Sequence, residues 1–181
     1  MLEDRLLIWN FKHGNKESFC RIYEKYRDDL LRLAMSLLNE NGTAEDVVHD
    51  VFTSFIRNIE QFRLTGSLKS YLAICVANMA RNVNRAHQRQ QKIALEQTGQ
   101  MSHEPQSPEQ WFTCSEDLIK LSNALAQLPD SQREVVTLHL QGRMKFREIA
   151  KYQDVSIKTV QSRYRIALEK LRSTLNSRLS K

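Results

Sequence analysis

Glycine and proline are scarce, five and three residues in a chain of 181. With so few helix breakers, long helices run unopposed. Strand-type alternation of apolar and polar residues is scarce too, so the expected fold is all-α. The three cysteines, Cys20, Cys75 and Cys114, are far apart and odd in number. They make neither a metal pair nor a disulfide framework, and read most simply as buried thiols in a reducing compartment. No apolar run approaches the length of a bilayer span. The opening Met1-Leu-Glu-Asp-Arg5 is charged where a signal peptide needs an apolar core. A cytoplasmic protein without membrane insertion is therefore expected. There is no nucleophile beside its base, no glycine-rich phosphate loop and no cluster of metal ligands. The expectation is a protein without catalysis, metal or cofactor.

The charge is segregated. Residues 143–181 hold 11 Lys and Arg against three Asp and Glu, and residues 57–95 hold seven against one. Between 33 and 56 there is no Lys or Arg, and the acids are Glu40, Glu45, Asp46 and Asp50. Two basic stretches and one acidic stretch imply a nucleic acid together with a protein partner.

The stretch from Phe146 to Tyr164 reads as two helices joined by a tight turn. Ala150 is small enough to let a second helix cross closely. Asp154 tolerates a left-handed backbone better than most non-glycine residues. Ser156 suits the N-cap of the next helix. There Val160, Ala167, Leu168 and Leu171 mark a buried stripe. Lys158, Thr159, Gln161, Ser162, Arg163 and Arg165 are left to meet phosphates and base edges. This is a helix-turn-helix pattern; its plainer alternative is a helical hairpin with a solvated charged face.

Upstream, helices are expected at 2–12, 16–38, 44–59 and 67–91, the second capped by Asn15. Thr43 and Asp46 resemble a capping box at the start of the third. On that helix Val47, Val48, Val51, Phe52 and Phe55 are core residues. Glu45, Asp46, His49 and Asp50 form a short-chained acidic face, either simply solvated or a dock for a basic partner. On the fourth helix, Tyr71, Asn78, Arg81, Arg85 and Arg89 share an arc. An aromatic that stacks on an unpaired base and arginines that track phosphates suit single-stranded nucleic acid. Residues 98–115 have a linker composition, with Gly99, Pro105 and Pro108 and no Lys or Arg. Beyond it, helices are expected at 116–127 and 131–140, the latter capped by Asp130 and stopped by Gly142, before the two-helix unit.

These motifs, in this order, resemble the extracytoplasmic-function group of bacterial sigma-70-type sigma factors, from about Glu17 to Leu175. Thr43-Ala-Glu-Asp-Val-Val-His-Asp-Val-Phe52 is similar to the family's segment that binds core RNA polymerase. Gly66-Ser-Leu-Lys-Ser-Tyr-Leu72 through Asn78-Met-Ala-Arg-Asn82 is similar to the segment that melts and reads the −10 element. Leu125-Ala-Gln-Leu-Pro-Asp-Ser-Gln-Arg133 resembles the lead-in to the second domain. Glu148-Ile-Ala150 and Thr159-Val-Gln-Ser-Arg163 resemble the helix-turn-helix that reads the −35 element. Four residues depart from the pattern: His49 replaces a usual Gln, Tyr71 a usual Trp, Asp154 the turn Gly, and Lys158 a small residue.

The resemblance implies two small helical domains, 1–95 and 116–181, joined by a flexible linker at 96–115. It implies core polymerase docking on Glu45, Asp46, His49 and Asp50. Single-stranded −10 DNA would lie on Tyr71, Asn78, Arg81 and Arg85. Double-stranded −35 DNA would lie on Ser156, Lys158, Thr159, Gln161, Ser162, Arg163 and Arg165. An anti-sigma factor is a further partner common in the family. Two other readings compete. An operator-binding regulator that works without polymerase leaves the acidic helix and the Tyr/Asn/Arg arc unexplained. A recombinase lacks a catalytic Ser or Tyr set among arginines.

Overall fold

The computed structural model describes residues 2–38, 44–98 and 116–179, with side chains described at 2–38, 44–93 and 120–176. The described residues form eight α-helices. They are α1 (Leu2–Lys12), α2 (Lys16–Leu37), α3 (Ala44–Arg57), α4 (Leu68–Thr98), α5 (Glu116–Ala126), α6 (Asp130–Leu140), α7 (Phe146–Gln153) and α8 (Ile157–Leu179). The all-helical expectation holds, and α4 runs well beyond Gln91. The expected cap at Thr43 lies outside the described residues, as does the expected linker 96–115 from residue 99 onward; residues 96–98 are instead the last residues of α4.

The turn between α1 and α2 uses Gly14 at φ +90°, a conformation that glycine adopts without a Cβ penalty. Asn15 then caps α2, its Oδ1 accepting from the Ser18 N–H at 3.1 Å. Ile22, Tyr26, Leu30, Leu33 and Leu37 recur every three or four residues and are all buried. Helix α1 is tied to α2 by Asp4, which accepts from Lys25 and from the Tyr26 hydroxyl, both at 2.8 Å. Lys12 reaches the other way. Its Nζ donates to the backbone carbonyls of Glu60 at 3.0 Å and Phe62 at 2.7 Å, fixing the path between α3 and α4.

Helices α5 to α8 form the second unit. Ala124, Leu125, Leu128, Val136, Ala167 and Leu171 enclose one small core. The opposite side of α6 (Val135, Leu138), with Met144, Ile149, Ala150 and Val160, joins the apolar cluster of α1–α4. The two units are thus packed against each other over a continuous apolar interior. Fully burying each such side chain stabilises by about 1.5–3 kcal/mol.

Two expected helix ends form differently. Pro129 occupies the cap position of α6 without a side-chain hydrogen bond, and Asp130 is the first helical residue. The Asp130 carboxylate instead accepts from Arg133, one turn on, at 2.7 Å. After α6, the left-handed residue is Arg143 at φ 52°, not Gly142. Gly142 is required for space: a Cβ there would lie 2.6 Å from the Leu138 carbonyl oxygen and 3.3 Å from the Ala73 Cβ on α4.

Candidate nucleic-acid interface

The helix-turn-helix forms as its sequence requires. Asp154 ends α7 at φ 52°, ψ 49°, and its N–H bonds the Ala150 carbonyl. The Val155 N–H bonds the same carbonyl at 3.0 Å. Glu148 reaches back to the Lys145 N–H at 2.7 Å and steadies the start of α7. Ser156 caps α8, its Oγ accepting from the Thr159 N–H at 3.0 Å and sharing a 2.9 Å hydrogen bond with the Thr159 hydroxyl. His139 stacks on Phe146 at 4.3 Å and meets Tyr164 edge-on at 5.0 Å, so α6, α7 and α8 hold one aromatic knot.

The seven residues expected on this surface separate into two sets. Lys158, Gln161, Ser162 and Arg165 are exposed. At about 100° per residue they fall within one arc of roughly 100°. Ser156 and Thr159 are committed to capping. Arg163 is half-buried and turned toward its own chain, donating to Gln153 Oε1 at 2.8 Å.

On α4, Asn78 and Arg85 are exposed, and Tyr71 and Arg81 are half-buried. Tyr71 packs beside Phe62, with Phe55 6.3 Å away. Burial, with the neighbouring Cys75 thiol, pushes its phenol up to about 12, so it stays neutral. Arg81 is engaged. Its Nε and Nη2 donate to the two carboxylate oxygens of Glu134 at 2.9 and 2.8 Å, and the guanidinium lies 5.1 Å from the centre of the Tyr152 ring. The hydrogen bonds to Glu134 raise its pKa further. Gln153 Nε2 donates to the same carboxylate at 2.9 Å. Glu134, Tyr152 and Gln153 carried no local signal in the sequence; they matter because folding brings them to α4.

On α3, Glu45, Asp46, His49 and Asp50 are all exposed above buried Val47, Val48, Val51 and Phe52. Tyr23, Arg27 and Leu31 of α2 join Glu45, Asp46, Val48 and His49 around a shallow hollow of about 280 Å³. A cation, Arg27, therefore lines the same hollow as the acidic residues, which the charge pattern along α3 did not show. No described helix is long and apolar enough to cross a membrane.

A helix-turn-helix unit joined to a helical unit with a basic, aromatic-bearing helix and an acidic face defines a DNA-binding protein of the transcription machinery. Residues 22–90 match the model of Sigma-70 region 2, and residues 118–171 that of Sigma-70, region 4; together they cover more than half the chain. The chain is 25% identical over 170 residues to the ECF RNA polymerase sigma-E factor of Haemophilus influenzae, covering 90% of this chain and 89% of that protein. It is 24% identical over 181 residues to the RNA polymerase sigma factor CnrH of Cupriavidus metallidurans, covering 96% and 95%. The ECF sigma factor SigW of Bacillus subtilis is 23% identical over 176 residues, covering 93% and 94%. Among solved structures, the fold is similar to that of the sigma factor RpoE in complex with the anti-sigma factor NepR from Bartonella quintana. That likeness has TM-score 0.71 and 22% identity, over 88% of this chain and 98% of that one. CnrH in complex with the cytosolic domain of CnrY gives TM-score 0.69 and 21% identity, over 97% and 98%. The chain belongs to the extracytoplasmic-function group of the sigma-70 family.

Proposed function

We propose that this chain directs core RNA polymerase to a defined set of promoters from the cytoplasm, with residues 1–98 and 116–181 as its two working units and 99–115 as the tether. Glu45, Asp46, His49 and Asp50 dock on a basic element of the core enzyme. Charge complementarity of this kind mainly speeds encounter and sets register. Lys158, Gln161, Ser162 and Arg165 face the −35 duplex. Arg163 joins them once it leaves Gln153, and Ser156 and Thr159 hold the start of the reading helix. Tyr71, Asn78, Arg81 and Arg85 hold the unpaired −10 strand. Asn78 bonds an extruded base, a step that costs a few kcal/mol of unstacking, and Tyr71 stacks at the melted edge. Two tethered contacts, each weak alone, become strong together when the tether spans both elements.

The observation that carries this reading is the exposed acidic face of α3 in the same chain as a basic α4 arc and a helix-turn-helix. An operator-binding regulator needs only the last. The relative RpoE has been solved with an anti-sigma factor, and a partner of that class is the natural inhibitor for this chain. Transcription in vitro with core enzyme over a randomised promoter library tests the proposal. Enrichment of one promoter class that depends on this chain is the expected result, and initiation no better than with core enzyme alone refutes it.

A further inference from the structure

Helix α8 opens on an apolar side chain. Ile157 is its first residue and is 42% exposed. It belongs to neither apolar cluster of the described residues, whereas Val160, Ala167 and Leu171 of the same helix are buried in them. At about 100° per residue, Gln161 sits about 40° round the helix from Ile157, and Arg165 about 40° further. Ile157 therefore borders the exposed set of Lys158, Gln161, Ser162 and Arg165, one turn before Gln161. The backbone at this end is fixed, because Ser156 Oγ accepts from the Thr159 N–H at 3.0 Å. The side chain is stiff as well: a β-branched residue in a helix keeps essentially one χ1 rotamer, so little freedom is left to lose on contact.

An isoleucine side chain makes no hydrogen bond to a phosphate or a base edge. The major groove offers it one apolar group, the C5 methyl of thymine. The first residues of the second helix in a helix-turn-helix are the ones that approach base edges. We propose that Ile157 packs on a thymine methyl in the −35 element and sets a preference for an A·T pair at that position. The inference rests on the reading of α8 as the −35 contact. It adds to that reading a side chain whose contribution is apolar, beside the polar and charged ones, and it ties that side chain to one chemical group of the promoter.

Deoxyuridine pairs as thymine does and lacks only the methyl. The probe is therefore the promoter that this chain enriches with core enzyme, each −35 thymine on either strand being replaced singly by deoxyuridine. Complex formation by core enzyme and the full chain is titrated on each duplex. Removing the contacted methyl is expected to weaken wild-type binding about fourfold, the worth of one buried methyl-sized group. Ile157→Ala should lose about as much on the unmodified promoter and nothing more on that deoxyuridine duplex, a coupling that independent effects do not give. Ile157→Val should show a smaller loss, and its coupling decides the matter if Ile157→Ala does not fold. Wild-type binding that tolerates every deoxyuridine overturns the proposal, as does a deoxyuridine penalty that survives Ile157→Ala undiminished. An enriched −35 element without an A·T pair overturns it too. If no promoter is enriched at all, the proposed function has failed and this inference with it; enrichment without a methyl effect removes Ile157 alone.

Discussion

The rings of Tyr71 and Phe62 lie 4.7 Å apart, centre to centre, at 52°. Phe62 thus holds Tyr71 from the loop side, and the phenol keeps one partly exposed edge at the surface of α4. Base–aromatic stacking is worth about 1–3 kcal/mol per base. Tyr71→Ala should therefore reduce promoter opening by roughly ten- to a hundredfold. Tyr71→Trp should restore most of it. Permanganate reactivity of unpaired thymines, with core enzyme present, reads the effect. Opening by Tyr71→Ala at the wild-type level would remove Tyr71 from the melted edge.

Asp46 and Asp50 are exposed carboxylates on one side of α3. Asp46→Ala with Asp50→Ala should weaken core-enzyme binding by roughly tenfold at low salt, mostly through the association rate. Affinity for −35 duplex DNA should not change. Stopped-flow association with labelled core enzyme and a duplex titration separate the two quantities. Equal losses in both would point to a folding defect instead.

The salt dependence of −35 duplex binding should divide the basic residues of α8. Each phosphate contact contributes about 0.9 to the slope of log K against log salt. Lys158→Ala and Arg165→Ala should each lower the slope by about that amount. Arg163 is bonded to Gln153, so Arg163→Ala should change the slope less in the isolated full chain than in its complex with core enzyme. Unchanged slopes for Lys158→Ala and Arg165→Ala would take the DNA off this face.

Acid should loosen the pairing of α1 with α2. Burial opposes the charge on Asp4, but the hydrogen bonds from Lys25 and Tyr26 outweigh it and hold the carboxyl below its usual 3.8. Asp29 is lowered too, chiefly by its bond to Lys69 and then by Arg32. A depressed carboxylate stabilises the folded state above its unfolded pKa and loses that contribution as pH falls through its folded pKa. The contribution is thus complete above about pH 5, begins to fall near pH 4, and is gone only below the depressed folded pKa. Asp4→Asn should cost about 1–3 kcal/mol at neutral pH and flatten this part of the acid transition. Melting curves at closely spaced pH values measure both.

Much of the fold was legible because the chain offers few breaks and regular stripes. Ile22, Tyr26, Leu30 and Leu33 are spaced as one helical face and are buried as one. The acidic residues of α3 were legible as exposed, because Val47, Val48, Val51 and Phe52 fix which side turns inward. Asp154 and Ser156 were legible because their conformations depend only on near neighbours. What escaped is what the chain decides at long range. Glu134 is 53 residues from Arg81, and no local pattern announces their pairing. The inward turn of Arg163 depends on Gln153 being held by that same carboxylate. Gly142 does follow the last turn of α6, where a Cβ would press first on the Leu138 carbonyl oxygen; what the sequence did not show is that Ala73 of α4 also lies against it.

Lys12 grips the connection between α3 and α4 through the main-chain oxygens of Glu60 and Phe62, not through their side chains. A grip of that kind is indifferent to the letters it holds. Substitutions at Glu60 and Phe62 therefore leave the anchor of this connection in place. Cutting away the first helix removes it, so a trimmed version that keeps α3 and α4 in register has to keep α1 as well.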